Sequence, residues 1–492
     1  LPQAGPGPFP VPAWIAAQGL HEGGAPGQGD GRRQSAAEEG VDAWETFVQW
    51  VHHHGGVVGF YIGRNAAGIR GGFANRGFAP GEDFMRLPDK LIISSAKILP
   101  ELADAATEMQ RLVTFLVLEK RKGEASFFAP YINLLPSYED IAPHLPILFA
   151  DDSRAILSEV FPKIKGGMNQ QNGLLGVTDT FQVVPDGLPI RSAYHVSRKE
   201  FLWGVAIIKT RSYNFQEEFH GACLHEPAQY LMLPGYDMLN HDLNARFPAC
   251  GTDGAAALAL HSPEAKAQGH ELHDTYFTEH HYCNYDMWAN WGFVLPGHDC
   301  VYISFNVRSS PITRAKDREA IFLRSKEAFD AKISTTDLVW NEGTEFQLYT
   351  ELVWDAKGLQ LDQYYMIMLR ALLLEPSEID FFLEHQDVGL DKPVSVMNEL
   401  AVLQFLASAI IDRVQKLRRD GQAIEMLREG CEVAKEIHEG EYNVIGKVKS
   451  DIHAHAMSLL YENDMLEDEK AVNAAKRLSD MLNEPPVVFT PP

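Results

Sequence analysis

Apolar periodicity divides the chain into an N-terminal half that changes period several times and a C-terminal half that hardly changes at all. Ala43 to His54 places Phe47, Trp50 and Val51 on one face, which predicts an amphipathic helix. Val57 to Leu91 alternates short apolar runs with glycine, VVGFYIG and then GIRGGFANRGFAPGEDFMRLPDKL, a spacing that predicts hairpins. From Ser95 to about Ile208 the pattern turns helical, with Leu112, Phe115 and Leu116 near its start. Its end, FLWGVAIIKTRSY from Phe201 to Tyr213, predicts a helix with Phe201, Trp203, Val205, Ile207 and Ile208 largely buried. Tyr230-Leu231-Met232-Leu233 has the length of a buried strand, and Pro234-Gly235 then turns the chain. Gly254 to Leu260 predicts a strand pair, and Val301 to Phe305 a strand that closes this half. Beyond it the sequence reads as chiefly helical. Val396, Leu400, Leu403, Ala407, Ile410, Val414 and Leu417 alternate steps of four and three, and further helical runs cover Ile445 to Leu460 and Lys470 to Leu482.

Composition sharpens this picture in three places. At 492 residues the chain is long enough for two or three domains, and 45% apolar with 22% charged residues is a globular balance. Lys plus Arg is 43 against 67 for Asp plus Glu, a net charge of −24 that argues against a general nucleic-acid or anionic-membrane surface. The five cysteines, Cys223, Cys250, Cys283, Cys300 and Cys431, are widely spaced and contain no CxxC, so neither a disulfide framework nor a structural zinc site is indicated. Residues 1 to about 35 hold fourteen Gly or Pro and no sustained period, as expected of a mobile tail. The first residue is Leu; a removed targeting peptide and a cut end both account for it. No apolar run approaches the roughly 18 residues that span a bilayer.

Candidate chemistry is concentrated after the Tyr230 run. Asp237, Asn240, His241 and Asp242 come after the turn, and a helical turn there would stack Asp237 with Asn240 and His241 on one face. Carboxylate, amide and imidazole at the end of an apolar strand are costly to bury without partners. A cap and turn satisfying only local backbone groups is the plainer alternative. Gly72-x-x-x-x-Gly77 is followed by Phe78-Ala79, so it is no phosphate-binding loop. His52, His53 and His54 are adjacent on a helix and point apart, which suits a solvated helix end better than a metal site. His270, His273, His280 and His281 read as loop histidines near a polar pocket, and no metal is expected.

The spelling Asp237-Met238-Leu239-Asn240-His241 resembles the Asn-His motif of SET-domain methyltransferases, in particular the class that includes Rubisco large-subunit lysine methyltransferase. Gly71-Gly72-Phe73-Ala74, Gly81-Glu82 and Leu87-Pro88 resemble the opening strands of that fold. Gly269-His270-Glu271-Leu272-His273-Asp274-Thr275-Tyr276 matches the segment ending in its catalytic tyrosine. Asn284 and Trp291-Gly292-Phe293-Val294 align with its Asn and Tyr-Gly-Phe after a short insertion. The resemblance runs from about residue 45 to 482. It implies an α+β fold: a SET-type all-β core over 41–305 with a helical insertion at about 97–208, preceded by a tail over 1–40. A helical substrate-binding-like domain over 306–492 would complete the chain.

The resemblance also implies roles. Tyr276 would be catalytic; Gly68, Arg70, Arg211, Asp237, Asn240 and His241 would bind S-adenosylmethionine (AdoMet); Tyr213 and Trp291 would contact substrate. Arg211 would pair with the cofactor carboxylate, as a guanidinium can do bidentately. The class often carries an acidic residue where Gly68 stands, which implies one partner fewer for the cofactor's ammonium. Trp291 stands where the class has tyrosine, and an indole only donates. The implied activity is protein-lysine N-methylation, for which an acidic chain would steer in a lysine-rich segment. The alternative, which Gly68 and Trp291 favour, is a SET-fold scaffold or AdoMet-binding subunit of a plastid complex such as the transcription machinery, with little or no catalysis. Protein substrate or complex partners would dock on the C-terminal helical domain, without direct nucleic-acid or membrane contact. The resemblance and the non-Met start imply the chloroplast, with the cytoplasm as alternative.

Overall fold

The computed structural model describes residues 36–66, 68–95, 98–99, 106–161, 194–214, 230–242, 245, 257–261, 264–276, 283–309, 313–327, 338–339, 346–355, 357–359 and 363–483. It divides into two compact units, Leu1–Pro296 with Leu427–Gly430, and Gly297–Met426 with Cys431–Pro492. The tail expected over 1–40 lies outside the described residues up to 35, and the first helix, Ala36–His53, begins inside it.

Three small sheets carry the first unit. β1 (Val57–Val58), β4 (Asp83–Pro88) and β9 (Ala257–His261) form one; β2 (Phe60–Arg64), β3 (Arg70–Ala74), β10 (Glu271–Asp274) and β8 (Asn240–His241) form another. β5 (Ile93–Ser94), β7 (Tyr230–Met232) and β6 (Ser212–Asn214) form the third. Of the expected second strand near Gly254, residues 251–256 lie outside the described ones. β10 is the strand that brings the conspicuous motifs together. It runs antiparallel to β3, with Leu272 opposite Gly72, and parallel to β8, with His273 opposite Asn240. One short strand thus lies between the glycine-rich hairpin and the Asn-His segment.

Helices over Glu108–Lys122 and Arg198–Arg211 bound the described part of the insertion. Each starts on a capping box, Thr107 with Gln110 and Ser197 with Glu200, which satisfies first-turn N–H groups that would otherwise lack partners. Every residue from Phe201 to Ile208 is buried, so this helix presents apolar surface all round and belongs inside the unit. Each large apolar side chain buried this way stabilises the fold by roughly 1.5–3 kcal/mol. Gly204 permits the approach of the other helix, since a Cβ there would stand 2.8 Å from Val113 Cγ1. Arg211 ends the helix, where a cation meets the negative end of the helix dipole.

In the second unit, β11 (Cys300–Ser309) pairs along its whole length with β13 (Phe346–Asp355), and β12 (Leu338–Val339) adds to β13. This corrects two expectations. The strand expected to close the first half belongs to the second unit, because Val301 and Ile303 pack with Ile321, Phe322 and Trp354. The boundary therefore falls at Pro296/Gly297, not near 305, and this unit contains a sheet as well as helices. Its long helices are Val396–Ile424, Cys431–Glu462 and Glu469–Asn483, and Leu400, Leu403, Ala407, Ile410 and Leu417 of the predicted stripe are buried. Cys283 and Cys300 each take part in a disulfide and Cys431 is free; the wide cysteine spacing announces no such bonding.

Candidate active site

The Tyr230 segment does not continue into a regular helix. After β7 the chain turns at Gly235, makes a single 3-10 turn over Tyr236–Met238 and re-extends as β8. Gly235 has φ +87°, and a Cβ there would stand 2.6 Å from the Phe47 ring, so the turn requires glycine twice over. The expected stacking of Asp237 with Asn240 and His241 on one helical face is therefore not found. Asp237 turns inward and is fully buried. Its Oδ1 accepts from Gly235 N–H at 3.0 Å and its Oδ2 from the Tyr131 hydroxyl at 2.8 Å. Arg211 Nη1 donates to the Asp237 carbonyl at 2.7 Å and stands 3.5 Å from Oδ2. Burial pushes the Asp237 carboxyl up, against the pull of Arg211. Asp237 thus positions Arg211, and its side chain is engaged within the protein.

Arg70 reaches the same spot from β3. Its Nη2 lies 3.9 Å from Met238 Sδ, and Arg211 Nη1 lies 3.6 Å from the same sulfur. Two guanidinium groups therefore converge on Met238, and Arg211 alone pairs directly with the Asp237 carboxylate beside it. Burial lowers the Arg70 guanidinium to about 10, the Arg211 charge adds to that, and Asp237 opposes both. Arg211 Nε is buried and has no partner among the described residues. An unmatched buried cation is costly unless an anion arrives to complete it.

From the edge strand β8, Asn240 ties the neighbouring β10 to β3 beyond it. Its Nδ2 donates to the Arg70 carbonyl at 2.7 Å and to Glu271 Oε1 at 2.8 Å. Gly71 makes this possible, because a Cβ there would stand 2.2 Å from Glu271 Oε1 and 2.8 Å from Asn240 Nδ2. Gly68 sits at the β2–β3 turn with φ +79°, and a Cβ there would meet nothing within 4 Å. Its N–H donates to Asn65 O at 2.9 Å. The glycine that borders open space is Gly68; Gly71 and Gly72 are pressed against the protein itself.

His241 and Tyr276 interlock. Tyr276 N–H donates to His241 Nδ1 at 3.0 Å, which assigns that nitrogen as acceptor, and the Tyr276 hydroxyl donates to the Leu239 carbonyl at 2.8 Å. The Tyr276 ring lies 5.2 Å from His241, 5.8 Å from Trp291 and 6.1 Å from Phe293, centroid to centroid. Burial, with the Asp274 carboxylate second, raises the phenol above its ordinary value, so it stays protonated. Trp291 is the last residue of the Asn284–Trp291 helix, which Gly292 ends in the left-handed conformation.

Tyr213 is 7% exposed, and its hydroxyl donates to Asp274 Oδ2 at 2.9 Å, while Tyr236 donates to Oδ1 at 2.6 Å. Its polar end faces the interior and is engaged with Asp274. Burial raises Asp274 to about 7, opposed by those two hydroxyls and the Thr275 N–H. Asp274, Glu271, Tyr131 and Phe293 carry parts of the site that motif reading leaves unassigned. Asp274 has a usable signal: strand alternation puts it on the same face as buried Leu272, an unusual place for a carboxylate. No three His, Cys, Asp or Glu side chains among the described residues come together as a metal site, and His280 and His281 lie outside those residues.

No protein-family model matches the chain, and no curated protein matches it. Solved structures do. The SET domain of LSMT bound to lysine and AdoHcy superposes with a TM-score of 0.56 at 16% identity, over 89% of this chain and 96% of that one. The same domain bound to MeLysine and AdoHcy gives 0.55 at 16% identity, with the same coverage of both chains. Rubisco LSMT bound to AdoMet gives 0.54 at 16% identity, over 87% of this chain and 96% of that one. The fold is the α+β SET-domain fold of these structures.

Proposed function

With that fold as the premise, we propose that the protein binds AdoMet and transfers its methyl group to a lysine side chain of a protein. The observation that carries this reading is the convergence of Arg70 and Arg211 on Met238 beside the single Asp237 carboxylate, with Arg211 Nε buried and without a partner among the described residues. That arrangement fits the carboxylate of an amino-acid moiety, which can take several charge-assisted hydrogen bonds from guanidinium groups. AdoMet, when bound, supplies an electrophilic methyl on a sulfonium.

The chain's own residues supply position. Arg70 and Arg211 would hold the carboxylate end, and β8 fixes His241 and, through it, the backbone of Tyr276. The Tyr276 phenol stays protonated and tied to Leu239 O, so it orients and does not act as a base. An in-line methyl transfer to an amine depends chiefly on such alignment. The amine must arrive neutral, and the rings of Tyr276, Trp291 and Phe293 favour this by disfavouring the charged ammonium through desolvation.

Titration calorimetry with AdoHcy tests the reading. Wild-type protein should bind, and Arg211→Ala should weaken binding by about 1.5–3 kcal/mol, the range for a lost hydrogen bond to a charged group. Absence of binding to folded wild type would remove the cofactor assignment. A second reading, a SET-fold subunit of a plastid assembly that binds AdoMet without methylating, is favoured by the Trp291 indole standing 5.8 Å from Tyr276. In either reading the protein partner docks on the helical second unit and the compartment is the chloroplast. Mass spectrometry of organelle extract incubated with the protein and labelled AdoMet separates the two.

A further inference from the structure

We infer that Glu271 receives the α-ammonium group of the cofactor's methionine moiety, from the strand that lies between those carrying Arg70 and Asn240. This rests on the AdoMet reading above. An amino-acid moiety carries carboxylate and ammonium on one carbon, so a site that binds it needs cations and acceptors side by side, each desolvated group finding its complement. Arg70 and Arg211 are the cations. The acceptors are identified by the hydrogen bonds of Asn240.

Asn240 Nδ2 donates to both the Arg70 carbonyl, 2.7 Å away, and Glu271 Oε1, 2.8 Å away. Both amide hydrogens are then used, and the amide orientation is fixed, since an oxygen in that place would face two acceptors. Asn240 Oδ1 is left as a further acceptor. The Glu271 carboxylate also accepts from Asn65 Nδ2 at 3.2 Å, and His273 Nε2 stands 3.7 Å from Oε1. A carboxylate offers about four acceptor positions, so two hydrogen bonds do not exhaust it. Its side chain is 13% exposed, shielded from bulk water but reachable.

Two glycines place this carboxylate. A Cβ at Gly71 would stand 2.2 Å from Glu271 Oε1, so the carboxylate lies directly against the β3 backbone that carries Arg70. Gly68, by contrast, faces open space and contributes no side chain. The one carboxylate hydrogen-bonded into the Arg70–Asn240 junction is therefore Glu271, among the described residues. Glu271 and the arginine pair together match a zwitterion, anion to cation and cation to anion.

The test compares two ligands, AdoHcy and its analogue lacking only the α-amino group, by calorimetry on wild type and Glu271→Gln. If Glu271 takes the ammonium, the substitution weakens AdoHcy by roughly 10–100-fold and changes the desamino analogue by less than about twofold. Equal weakening of both ligands, or of neither, overturns the assignment. Cooperative thermal melting of the variant checks its fold, and Glu271→Ala is read the same way should the glutamine variant fail to melt cooperatively. Wild type that binds neither ligand fails the cofactor reading itself, and this inference with it. Wild type that binds both while Glu271→Gln shows no selective loss overturns the Glu271 assignment alone.

Discussion

Each unit has a cluster of buried basic side chains, and the two clusters are balanced in opposite ways. In the second unit Arg370 meets Glu399 through two nitrogens, at 2.5 and 3.1 Å, and gives its third to the Leu390 carbonyl at 2.8 Å. Arg413 and Lys416 there face two carboxylates, Glu441 and Asp420. In the first unit Arg211 pairs with Asp237, and Arg70 beside it feels that same carboxylate only at longer range. A lone unsatisfied Nε does not separate the cases, since Arg413 also has one. The charge balance does. Matched buried pairs fix a core, whereas two cations beside one carboxylate leave a positive site ready for an anion. Asp274 is the converse case, a buried carboxylate held by phenols and not by a cation.

The largest effect should come from breaking a matched pair. Arg370→Ala leaves Glu399 buried and unpaired and should cost about 3–5 kcal/mol of stability, read as a fall in the denaturant midpoint. Arg211→Ala leaves Asp237 still bonded to Gly235 N–H and Tyr131, so its stability loss should be clearly smaller. The contrast between the units collapses if the two variants are destabilised equally.

Asp274 should produce the next effect, and its sign comes from linkage. Its carboxyl titrates near 7 in the folded protein against an ordinary value of 3.8. The folded state therefore binds the extra proton, so this group's contribution is complete below the ordinary carboxyl range, is lost as pH rises toward 7, and is level above that. Asp274→Asn, whose amide can still pair with both phenols, should flatten the stability–pH curve in that window by on the order of 4 kcal/mol. An unchanged slope would mean that Asp274 stays charged.

These cases also show what the sequence reveals. Arg211, Asn240, His241 and Tyr276 are legible because each sits in a short spelling whose order survives on its own. Arg211 ends a helix readable from eight buried positions. Glu271 is not legible as a site residue, because its neighbour Asn240 comes from the parallel register of β10 with β8, a tertiary fact that no local period encodes; Asp274 is legible only as a carboxylate on a buried strand face. The stacking of Asp237 with Asn240 and His241 assumes helical spacing, and the single 3-10 turn removes that premise. β13 is the opposite kind of miss. Its sequence, FQLYTELVWD, is rich in aromatic and β-branched residues, a strand signal in a stretch followed by longer helical stripes downstream.

Affinity is the finer test of the unmatched arginines. The expected loss of about 1.5–3 kcal/mol in AdoHcy binding for Arg211→Ala should shrink with added salt only weakly, because the guanidinium is mostly buried. A steep salt dependence would place the ligand on the surface and not between Arg70 and Arg211.

The smallest effect on stability should come from the aromatic wall, where charge balance predicts nothing. Trp291 packs on Tyr276 and Phe293 at 5.8 and 6.4 Å, so Trp291→Phe should cost about 0.5–1.5 kcal/mol, the range for an aromatic pair. Its effect on product should be out of proportion to that cost. If the indole narrows the lysine channel, wild type should stop at monomethyl product, and Trp291→Phe should carry the same amine to higher methylation. Intact-mass analysis of the methylated protein reads this directly. Tyr276→Phe is the companion variant: it loses the bond to Leu239 O, should leave AdoHcy affinity within about twofold, and should cut transfer roughly 100-fold through lost alignment. Efficient trimethylation by wild type would show that Trp291 lines no constriction, and the difference between the two halves of the site would then rest on the arginines alone.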